Sequence, residues 1–562
     1  MGRGKNIKEV KVMNIFKYLA VAVILSLPLG LAPRLFAEQA EPESGENIET
    51  AGPEKKPFAP VFTFDKIVKI AEEAAARPFQ APDPQLSGFL RELGEEEWNR
   101  VKFLQDKRLW SGPDQPFEAD FFHPGFIYDQ PVAIDVVEEG LSRRLPFRAD
   151  FFQPAASFGK EPPAPLNYAG FRLFYPFNSP DRADELLSFL GATHFRALAR
   201  GAGYGLTARA LIINPASPDG EEFPYFRRFW LLKPEDEAVS LTVYALMESP
   251  SLTGAYSFLI RPGTSAVMDV EARLFLRAGA SRPRKIGLAP AGSMYLFSEK
   301  ENGSRSDYRP ELHNSDTLLF SSGPGAWFNR PLNNPERLEL DVFPLNSPKG
   351  FGLMQNDAVF DHYQDLRSRF DLRPSLWIEP AGDWGPGHIE LIEIPSAQEI
   401  HDNILAFWVS DQPDPPESPE GSGGGELLSF AYRLYWMNPG ALPHQLGRVA
   451  ATRQNRVKGD SIRFLLDFEG EELNSFSADT GLASVVEAEG KVVVSEKKLL
   501  KNPVTGGWRL EFKVSLPQDS GVVQSLMTAR GERRGLRLKA FLKKGENLSE
   551  ALTETWLYDL PY

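Results

Sequence analysis

The sequence predicts a mainly β protein with two sandwich-like domains and few short helices. Short apolar or alternating runs recur from about residue 116 to the C-terminus, and turn residues separate them. The 47 prolines and 46 glycines favour many short elements over long helices. Few helical periods intervene between the runs, so antiparallel sheets are expected rather than a βαβ array. A chain of 562 residues fits two or three domains.

The N-terminus has the pattern of an export signal. Lysines lie before and at the start of an apolar run at 19–31, and a plausible cleavage site follows at Leu35-Phe-Ala37. The run is short for a membrane span and prolines interrupt it, although an uncleaved anchor is the alternative. We predict a signal peptide at 1–37. The polar, acidic stretch 38–58 has no apolar period and is predicted to be a disordered spacer.

A first β domain is predicted for 59–392. Its start is helical, because Asp65 is a good N-cap, apolar residues follow at helical spacing, and Pro78 ends the pattern. A second short helical patch spans roughly 85–100. The strand-like runs that follow are 169–175, 229–232, 240–246, 266–276 and 294–297.

An immunoglobulin-like sandwich is predicted for 397–562, on the short strand-like runs 461–467, 492–494, 508–514 and 536–542. The Pro- and Gly-rich segment 411–425 is the obvious linker candidate. Apolar runs at 403–409 and 427–436 flank it. We predict that these two runs pair, which makes 411–425 a loop inside the second domain.

Composition excludes several classes of function. The formal net charge of −14 argues against a nucleic-acid or anionic-membrane partner, because phosphate binding needs clustered Lys and Arg. The absence of cysteine excludes disulfides, cysteine nucleophiles and zinc-thiolate sites, and it is compatible with a bacterial periplasm. The seven histidines are scattered, and no dinucleotide or phosphate-loop fingerprint occurs. We therefore expect no metal site and no cofactor.

The segment 326–385 points to a carbohydrate ligand. Aromatic rings, carboxylates, amides and arginines alternate there within about sixty residues. Sugars offer apolar ring faces and many hydroxyl groups, so a surface of this composition suits them.

Several motifs resemble one known family, the periplasmic glucan biosynthesis proteins OpgG and OpgD, also called MdoG and MdoD. The likeness covers about 62–436 and continues more weakly to the end. The matching stretches are 121–126, 191–197, 220–224, 253–256, 308–316, 330–335, 372–385 and 402–404.

The resemblance implies a large galactose-mutarotase-like β-sandwich, a smaller immunoglobulin-like domain and a periplasmic location. It also implies a role in making osmoregulated periplasmic glucans, whose backbone is β-1,2-linked glucose. Family members resemble inverting glycoside hydrolases that cut this glucan, and some relatives transglycosylate instead. We therefore predict an inverting β-1,2-glucanase. The alternatives are a transglycosylase on the same glucan and a non-catalytic glucan-binding factor that assists a membrane synthase. The oligomeric state stays open.

Inverting hydrolysis needs two carboxyl groups, one to protonate the leaving oxygen and one to activate a water. The resemblance places this pair at Asp269 and Asp357 and favours Asp357 as the general acid. The residue pattern alone allows a blander interpretation, a turn aspartate for Asp357 and a solvent-face strand residue for Asp269. The chain also departs from the family. It has Gln355-Asn-Asp-Ala358 where Gln-Arg-Asp-Arg is usual, and His313-Asn-Ser-Asp316 where His-Asp-Ser is commoner.

Sugar-binding side chains are predicted in and near the 326–385 segment. For each aromatic residue the alternative is core packing, and for Arg373 and Glu379 it is a structural ion pair. The predicted stacking platforms are Trp327, Trp384, Tyr363 and Tyr308, and the predicted hydrogen-bonding residues are Arg330, Arg373, Asn333, Asn334, Glu379 and Asp383.

Overall fold

The structure is a computed structural model, and it confirms the mainly β class. The predicted signal peptide at 1–37, the spacer at 38–58 and most of the 411–425 segment lie outside the described residues. Within the described part, no helix is both long and apolar enough to cross a membrane. The described residues are 62–81, 86, 88–112, 115–153, 166–179, 182–301, 307–399, 402–411, 425–457, 461–477, 481–489, 492–515, 536–545 and 551–560.

The described helices are short, and three of them lie in the two regions predicted to be helical. The first begins at Phe64 with Thr63 as its N-cap, so the prediction of Asp65 as the cap is wrong. Asp65 lies in the first turn instead, where a negative charge suits the helix dipole. The α-helices are α1 (Phe64–Ala75), α2 (Gly88–Glu92), α3 (Glu95–Arg100), α4 (Phe360–Tyr363) and α5 (Glu471–Asn474).

Strands dominate the rest of the described chain. Those of its first half are β1 (Lys102–Phe103), β2 (Glu118–Phe122), β3 (Ala133–Glu138), β4 (Leu141–Arg144), β5 (Phe152–Gln153), β6 (Gly170–Ser179), β7 (Arg182–Leu190), β8 (His194–Ala197), β9 (Thr207–Arg209), β10 (Leu211–Ile213), β11 (Tyr225–Leu232), β12 (Leu241–Glu248), β13 (Leu252–Arg261), β14 (Ala266–Leu276), β15 (Ile286–Ser293) and β16 (Tyr295–Phe297).

The remaining strands include those that position the candidate site. They are β17 (Leu312–His313), β18 (Thr317–Gly323), β19 (Ala326–Pro331), β20 (Glu339–Leu345), β21 (Gly350–Met354), β22 (Ser375–Pro380), β23 (Gly387–Glu393), β24 (Ile404–Ser410), β25 (Glu426–Met437), β26 (Arg448–Val457), β27 (Ser461–Glu469), β28 (Leu482–Ala488), β29 (Val493–Lys501), β30 (Trp508–Ser515), β31 (Leu536–Lys544) and β32 (Thr555–Leu560).

Two large sheets form the first sandwich. One contains β2-β6-β7-β8-β9-β15-β24-β23-β20, with β10 also paired to β15. The other runs β28-β31-β32-β19-β18-β21-β22-β25-β14-β13-β12-β11-β3-β4. Strand β14 shows how the sequence builds this core, because Met268, Val270 and Ala272 are buried while Asp269 and Glu271 alternate with them on the outer face. Helix α1 packs on that outer face.

The second sandwich has its own apolar core. The sheet β26-β27-β30-β29 encloses it together with β28, β31 and β32, and Phe464, Phe512 and Trp556 lie inside. Strand β32 also pairs in parallel with β19, at Phe328 and Asn329. The long sheet therefore continues from the first sandwich into the second. This architecture is compatible with the two sandwich types that the resemblance implies.

The predicted pairing of 403–409 with 427–436 is wrong. Strand β24 pairs with β23 and β15 in one large sheet, whereas β25 pairs with β14 and β22 in the other. Both strands belong to the first sandwich although they follow the boundary predicted at 397. Their apolar patterns correctly predict two strands, but such a pattern does not indicate which strand each one pairs with.

A glycine in β21 makes a close approach that another residue would obstruct. A Cβ atom on Gly352 would lie 2.1 Å from the carbonyl oxygen of Leu376 on β22. We expect Gly352→Ala to lower the free energy of unfolding by about 2 kcal/mol, because crowding in a packed region costs on the order of 1–3 kcal/mol. Urea titration measures this change. The matched control is Gly323→Ala, since none of the described residues offers an atom within 4 Å of that added methyl group. Equal midpoints for the two variants would contradict the expectation.

Candidate active site

A cleft of about 570 Å³ lies between the two sandwiches. The first sandwich contributes a group of ionisable side chains, and the second contributes a wall of arginines and carboxylates. Those from the first are Glu299, Glu311, Asp316, Asp357 and His362, and those from the second include Arg448, Arg453, Asp467, Glu469 and Arg509.

Paired strands bring two of these acids together. Asp316 directly precedes β18, and Asp357 lies three residues after β21, which pairs with β18. The carboxylate of Asp316 accepts hydrogen bonds from the backbone N–H and the Nδ2 of Asn356, at 2.9 and 2.8 Å, and from the backbone N–H of Asp357 at 3.3 Å. Burial raises the pKa of Asp316, and the charge of Asp357 adds to the rise against the opposing charge of His313. Asp316 therefore holds the loop that carries Asp357.

Asp357 forms a pair with a histidine. Its Oδ1 accepts a hydrogen bond from the Val359 N–H at 2.8 Å, and its Oδ2 contacts Nδ1 of His362. Burial alone would lower the pKa of His362, but the hydrogen bond and charge of Asp357, with the charge of Glu311, raise it. The Asp357 side chain is 22% exposed, so the pair faces the cleft. The raised pKa favours the protonated imidazolium of His362, which donates to the Asp357 carboxylate.

A buried network supports this pair from behind. His313 lies 2.9 Å from Glu311 Oε2 through Nε2 and 2.9 Å from Gln355 Oε1 through Nδ1. Burial disfavours the imidazolium, yet the hydrogen bond and charge of Glu311 raise the pKa of His313 to about 9. The Gln355 Nε2 group donates to the Tyr363 hydroxyl, which donates to the backbone oxygen of Asp357 at 3.1 Å. Tyr363 is fully buried, so its prediction as a sugar-stacking platform is corrected.

Glu299 is an acid of the cleft whose pKa is strongly raised. Burial and the charges of Glu311 and Asp316 raise the pKa of Glu299 to about 7. Its Oε1 accepts a hydrogen bond at 3.1 Å from the backbone N–H of Thr452 in the second sandwich. Glu299 therefore lies where the two sandwiches meet, with a carboxyl that changes charge near neutral pH.

The same cluster has a spacing that a cation could bridge. One ligand atom each from Glu311, Asp357 and His362 lies within 4.8 Å of the others. The scattered histidines of the sequence predict no metal site, and exposed acidic groups with such a spacing are common without a bound ion. In this arrangement the facing atoms of Asp357 and His362 contact each other directly.

Asp269 is not in this cleft. It lies on the outer face of β14, where Arg261 Nη1 approaches it at 2.7 Å and Arg433 Nη2 at 3.1 Å. Burial opposes ionisation of Asp269, but these two arginines lower its pKa.

The register of the sheet separates Asp269 from Asp357. Asp269 is opposite Arg433, which is opposite Glu379, and β21 lies beyond β22. Three strand spacings of about 4.8 Å and at least three residue rises of about 3.3 Å put the two acids on the order of 17 Å apart. An inverting pair needs about 6.5–9.5 Å between its carboxyl groups. The structure therefore does not bring the predicted catalytic pair together.

Two other predicted residues, Glu379 and Trp327, also lie on this outer face. Glu379 accepts hydrogen bonds from the Tyr435 hydroxyl at 3.0 Å and from Trp377 Nε1 at 3.1 Å. The half-buried ring of Trp327 packs 5.3 Å from Trp377 and 4.5 Å from His444. Trp327 therefore belongs to a small apolar cluster on the sheet.

Three more of the predicted binding residues are structural. Arg330 is 1% exposed and bonds to the carboxylates of Asp341 and Glu393. Trp384 is 8% exposed and donates its Nε1–H to the Ala431 carbonyl. Arg373 is also buried, and its guanidinium lies over the ring of Phe370. Burial in the core or in ion pairs leaves these side chains no face for a sugar.

The remaining predicted residues hold turns or lie on the surface. Asn333 donates its backbone N–H to Glu393, and Asn334 bonds to Ser396 through its side chain. Asp383 caps the N–H of Gly385, and Tyr308 is 74% exposed. Of the predicted residues, only Asp357 is among the described residues that line the cleft.

Sequence reasoning missed Glu299, Glu311, Asp316 and His362. Part of the signal was present, because Glu311 and Asp316 belong to the motif 308–316 and His362 follows Asp357 by five residues. The sequence does not indicate that the second sandwich lies opposite these residues and forms the other wall of the cleft.

Comparison with known proteins identifies one family, and the match covers nearly the whole described chain. A family model described as "Periplasmic glucan biosynthesis protein, MdoG" matches residues 62–560. The chain is similar to the Glucans biosynthesis protein G of Pseudomonas aeruginosa, with 38% identity over 518 residues, 90% of this chain and 94% of the relative. The protein of that name from Rhodopseudomonas palustris is 40% identical over 506 residues, with 90% and 94% covered. The one from Ralstonia nicotianae is 38% identical over 515 residues, with 89% and 96% covered.

Proposed function

The chain belongs to the periplasmic glucan biosynthesis family MdoG, and from this membership and the cleft we propose that it is an inverting β-1,2-glucanase. It would act in the periplasm on the β-1,2-linked glucose backbone, beside a membrane synthase that supplies the polymer. The observation that carries the proposal is the cleft itself. Asp357, paired with His362, faces three further carboxyl groups there, and burial has raised the pKa of two of them, Glu299 and Asp316.

The proposed reaction uses Asp357 on the acid side and Glu299 on the base side. The proton that His362 holds against Asp357 passes by way of the Asp357 carboxyl to the glycosidic oxygen as the bond from C1 to that oxygen breaks. A water attacks C1 from the opposite face and gives its proton to the Glu299 carboxylate. Glu299 suits this role because its pKa of about 7 matches a base that works near neutral pH. Asp316 positions the loop, and Asp269 takes no part.

Hydrolysis has a product signature that separates it from its rivals. The purified mature protein is incubated with linear β-1,2-glucan, and the products are sized and their reducing ends counted. New reducing ends of inverted configuration support the proposal. Cyclised or elongated products without new reducing ends would instead indicate transfer to a sugar hydroxyl.

A non-catalytic glucan-binding role is the second candidate function. It is favoured by Asn356 and Ala358, which stand where the family pattern has arginines beside the acid. In this case the glucan binds but its length does not change. That outcome would overturn the hydrolase proposal and leave the family role intact.

The pH dependence of hydrolysis tests the role of Glu299. The base must be ionised, so kcat/KM is expected to rise as the pH passes about 7. It falls again at higher pH, when the imidazolium of His362, whose pKa is raised, loses its proton. Glu299→Gln should lower kcat/KM by about 10²-fold and remove the rising limb. The exposed Asp361→Asn is the matched control and should keep both limbs. A rising limb that persists in Glu299→Gln would assign the base elsewhere.

A further inference from the structure

A second pocket, of about 550 Å³, opens at the start of β11. Two of the stretches that carry the family resemblance meet there, and the cleft uses neither. Stretch 220–224 lines the pocket, and stretch 191–197 lines a small recess next to it. Gln130 and Tyr225 line both spaces.

This pocket is far from the cleft. Strand β11 is six places from β21 in the long sheet, with β22, β25, β14, β13 and β12 between them. At about 4.8 Å per strand, the two sites lie roughly 29 Å apart across the sheet. The pocket is therefore a separate feature of the first sandwich.

The lining suits a neutral molecule with many hydroxyl groups. Phe79, Phe223 and Tyr225 supply aromatic rings, and side chains such as Asn214 and Glu222 supply oxygen acceptors. Among the described residues that line the pocket, none is Lys, Arg or His, so an anionic ligand has no charged partner. Aromatic faces combined with amide and carboxylate acceptors match the apolar faces and hydroxyl donors of a saccharide.

The acceptors are fixed before any ligand arrives. Glu222 Oε1 accepts hydrogen bonds from the Ser251 N–H at 3.0 Å and from its hydroxyl at 2.6 Å. Glu221 Oε1 accepts one from Arg209 Nη1 at 3.1 Å. Asn214 has a φ of 50° and accepts the Lys285 N–H at 3.0 Å. A preorganised site of this kind loses little entropy when it binds.

Two buried acceptors in this region need a donor. Within the described part of the chain, neither Gln130 Oε1 nor His194 Nε2 has a hydrogen-bond partner. His194 is 6% exposed, and its Nδ1 lies 3.2 Å from the Gly191 carbonyl oxygen. Burial, followed by the charge of Arg209, lowers the pKa of His194 well below its usual value, so the ring is neutral and Nε2 is an acceptor. The recess of about 10 Å³ holds one water or one hydroxyl group.

We infer that this pocket is a second saccharide-binding site, which holds a remote part of the glucan while the cleft acts on another part. The identity of the saccharide rests on the proposed function. Tethering a polymer at two sites converts the second binding event into an intramolecular one and raises the effective concentration of glucan at the cleft. Short oligosaccharides do not span the two sites and gain nothing from the tether.

Calorimetry on the full-length mature chain tests the inference. In an Asp357→Asn background, which leaves the ligand uncut, a short β-1,2-linked glucose oligomer is expected to bind at two sites. Tyr225→Ala and, separately, Phe223→Ala should each abolish one site or weaken it at least tenfold. Tyr308→Ala is the control, because this exposed ring lies outside both sites. Thermal unfolding identifies any variant that fails to fold.

The outcomes separate the two proposals. If the stoichiometry and affinity are the same in both pocket variants as in the control, an ordered water alone fills the recess and the inference is overturned. If glucan is never cut but one of two binding sites disappears in the pocket variants, the inference holds and the hydrolase proposal fails. For an active enzyme, Tyr225→Ala should raise KM about tenfold for long glucan and leave KM for short oligomers unchanged.

Discussion

Asp357→Asn is expected to lower the rate of glucan hydrolysis by about 10³-fold, within the range that general acid catalysis contributes. The amide oxygen can still accept the Val359 N–H, so the loop should keep its shape. What disappears is the carboxyl that, in the proposed mechanism, passes the His362 proton to the glycosidic oxygen. The rate of formation of new reducing ends from linear β-1,2-glucan measures the loss, and calorimetry checks that glucan still binds.

Asp269→Asn is the matched control for this experiment. The substitution removes the same charge, but at a carboxylate that Arg261 and Arg433 hold on the outer face of the sheet. We expect the rate to stay close to that of the wild type. If Asp269→Asn abolished hydrolysis and Asp357→Asn did not, the cleft would not be the active site.

The contrast between these two acids shows how far the sequence could lead. The alternation along β14 correctly indicates a strand with Asp269 outside the core. The distance from Asp269 to Asp357 depends on which strands lie between them and in which register, and pairing over such sequence separations leaves no local signal. The same limit explains the wrong pairing predicted for the strands on either side of 411–425. Local periodicity fixes an element but not its neighbours.

The departures from the family pattern have a physical meaning in the structure. Asn356, which stands where an arginine is usual, donates two hydrogen bonds to Asp316 and so anchors the loop. His362 contacts Asp357 and gives the acid a cationic partner. The sequence shows that the arginines are missing. Only the fold shows that His362, on helix α4, lies beside the Asp357 carboxylate, where the family pattern would have an arginine.

Arg330, predicted to bind sugar, shows that sequence composition cannot distinguish a binding residue from a buried structural one. A run of Arg, Asn and aromatic residues is equally compatible with a sugar site and with a buried ionic network. The choice depends on whether the side chain reaches solvent. Arg330 is 1% exposed because β19 lies inside the long sheet, with β18 on one side and β32 on the other.

Arg330→Met is expected to lower the free energy of unfolding by about 3–5 kcal/mol. The arginine bonds to Asp341 at 2.6 Å and to Glu393 at 2.9 Å, and removing one partner of a buried ion pair leaves uncompensated charge in the core. Asp559 on β32 lies 3.9 Å away, so the loss should also weaken the junction with the second sandwich. Urea unfolding followed by tryptophan fluorescence measures the change.

Arg433→Met provides the comparison, because this arginine forms its ion pair with Asp269 at a side-chain exposure of 45%. Exposed ion pairs contribute about 0–1 kcal/mol, so its midpoint should barely move. Equal losses in both variants would contradict a structural role specific to Arg330. A small loss of stability in Arg330→Met, combined with a large loss of glucan affinity, would return Arg330 to the binding surface that the sequence predicted. A large loss of stability with glucan affinity unchanged would establish that Arg330 joins the strands of the sheet and has no direct part in recognising the polymer.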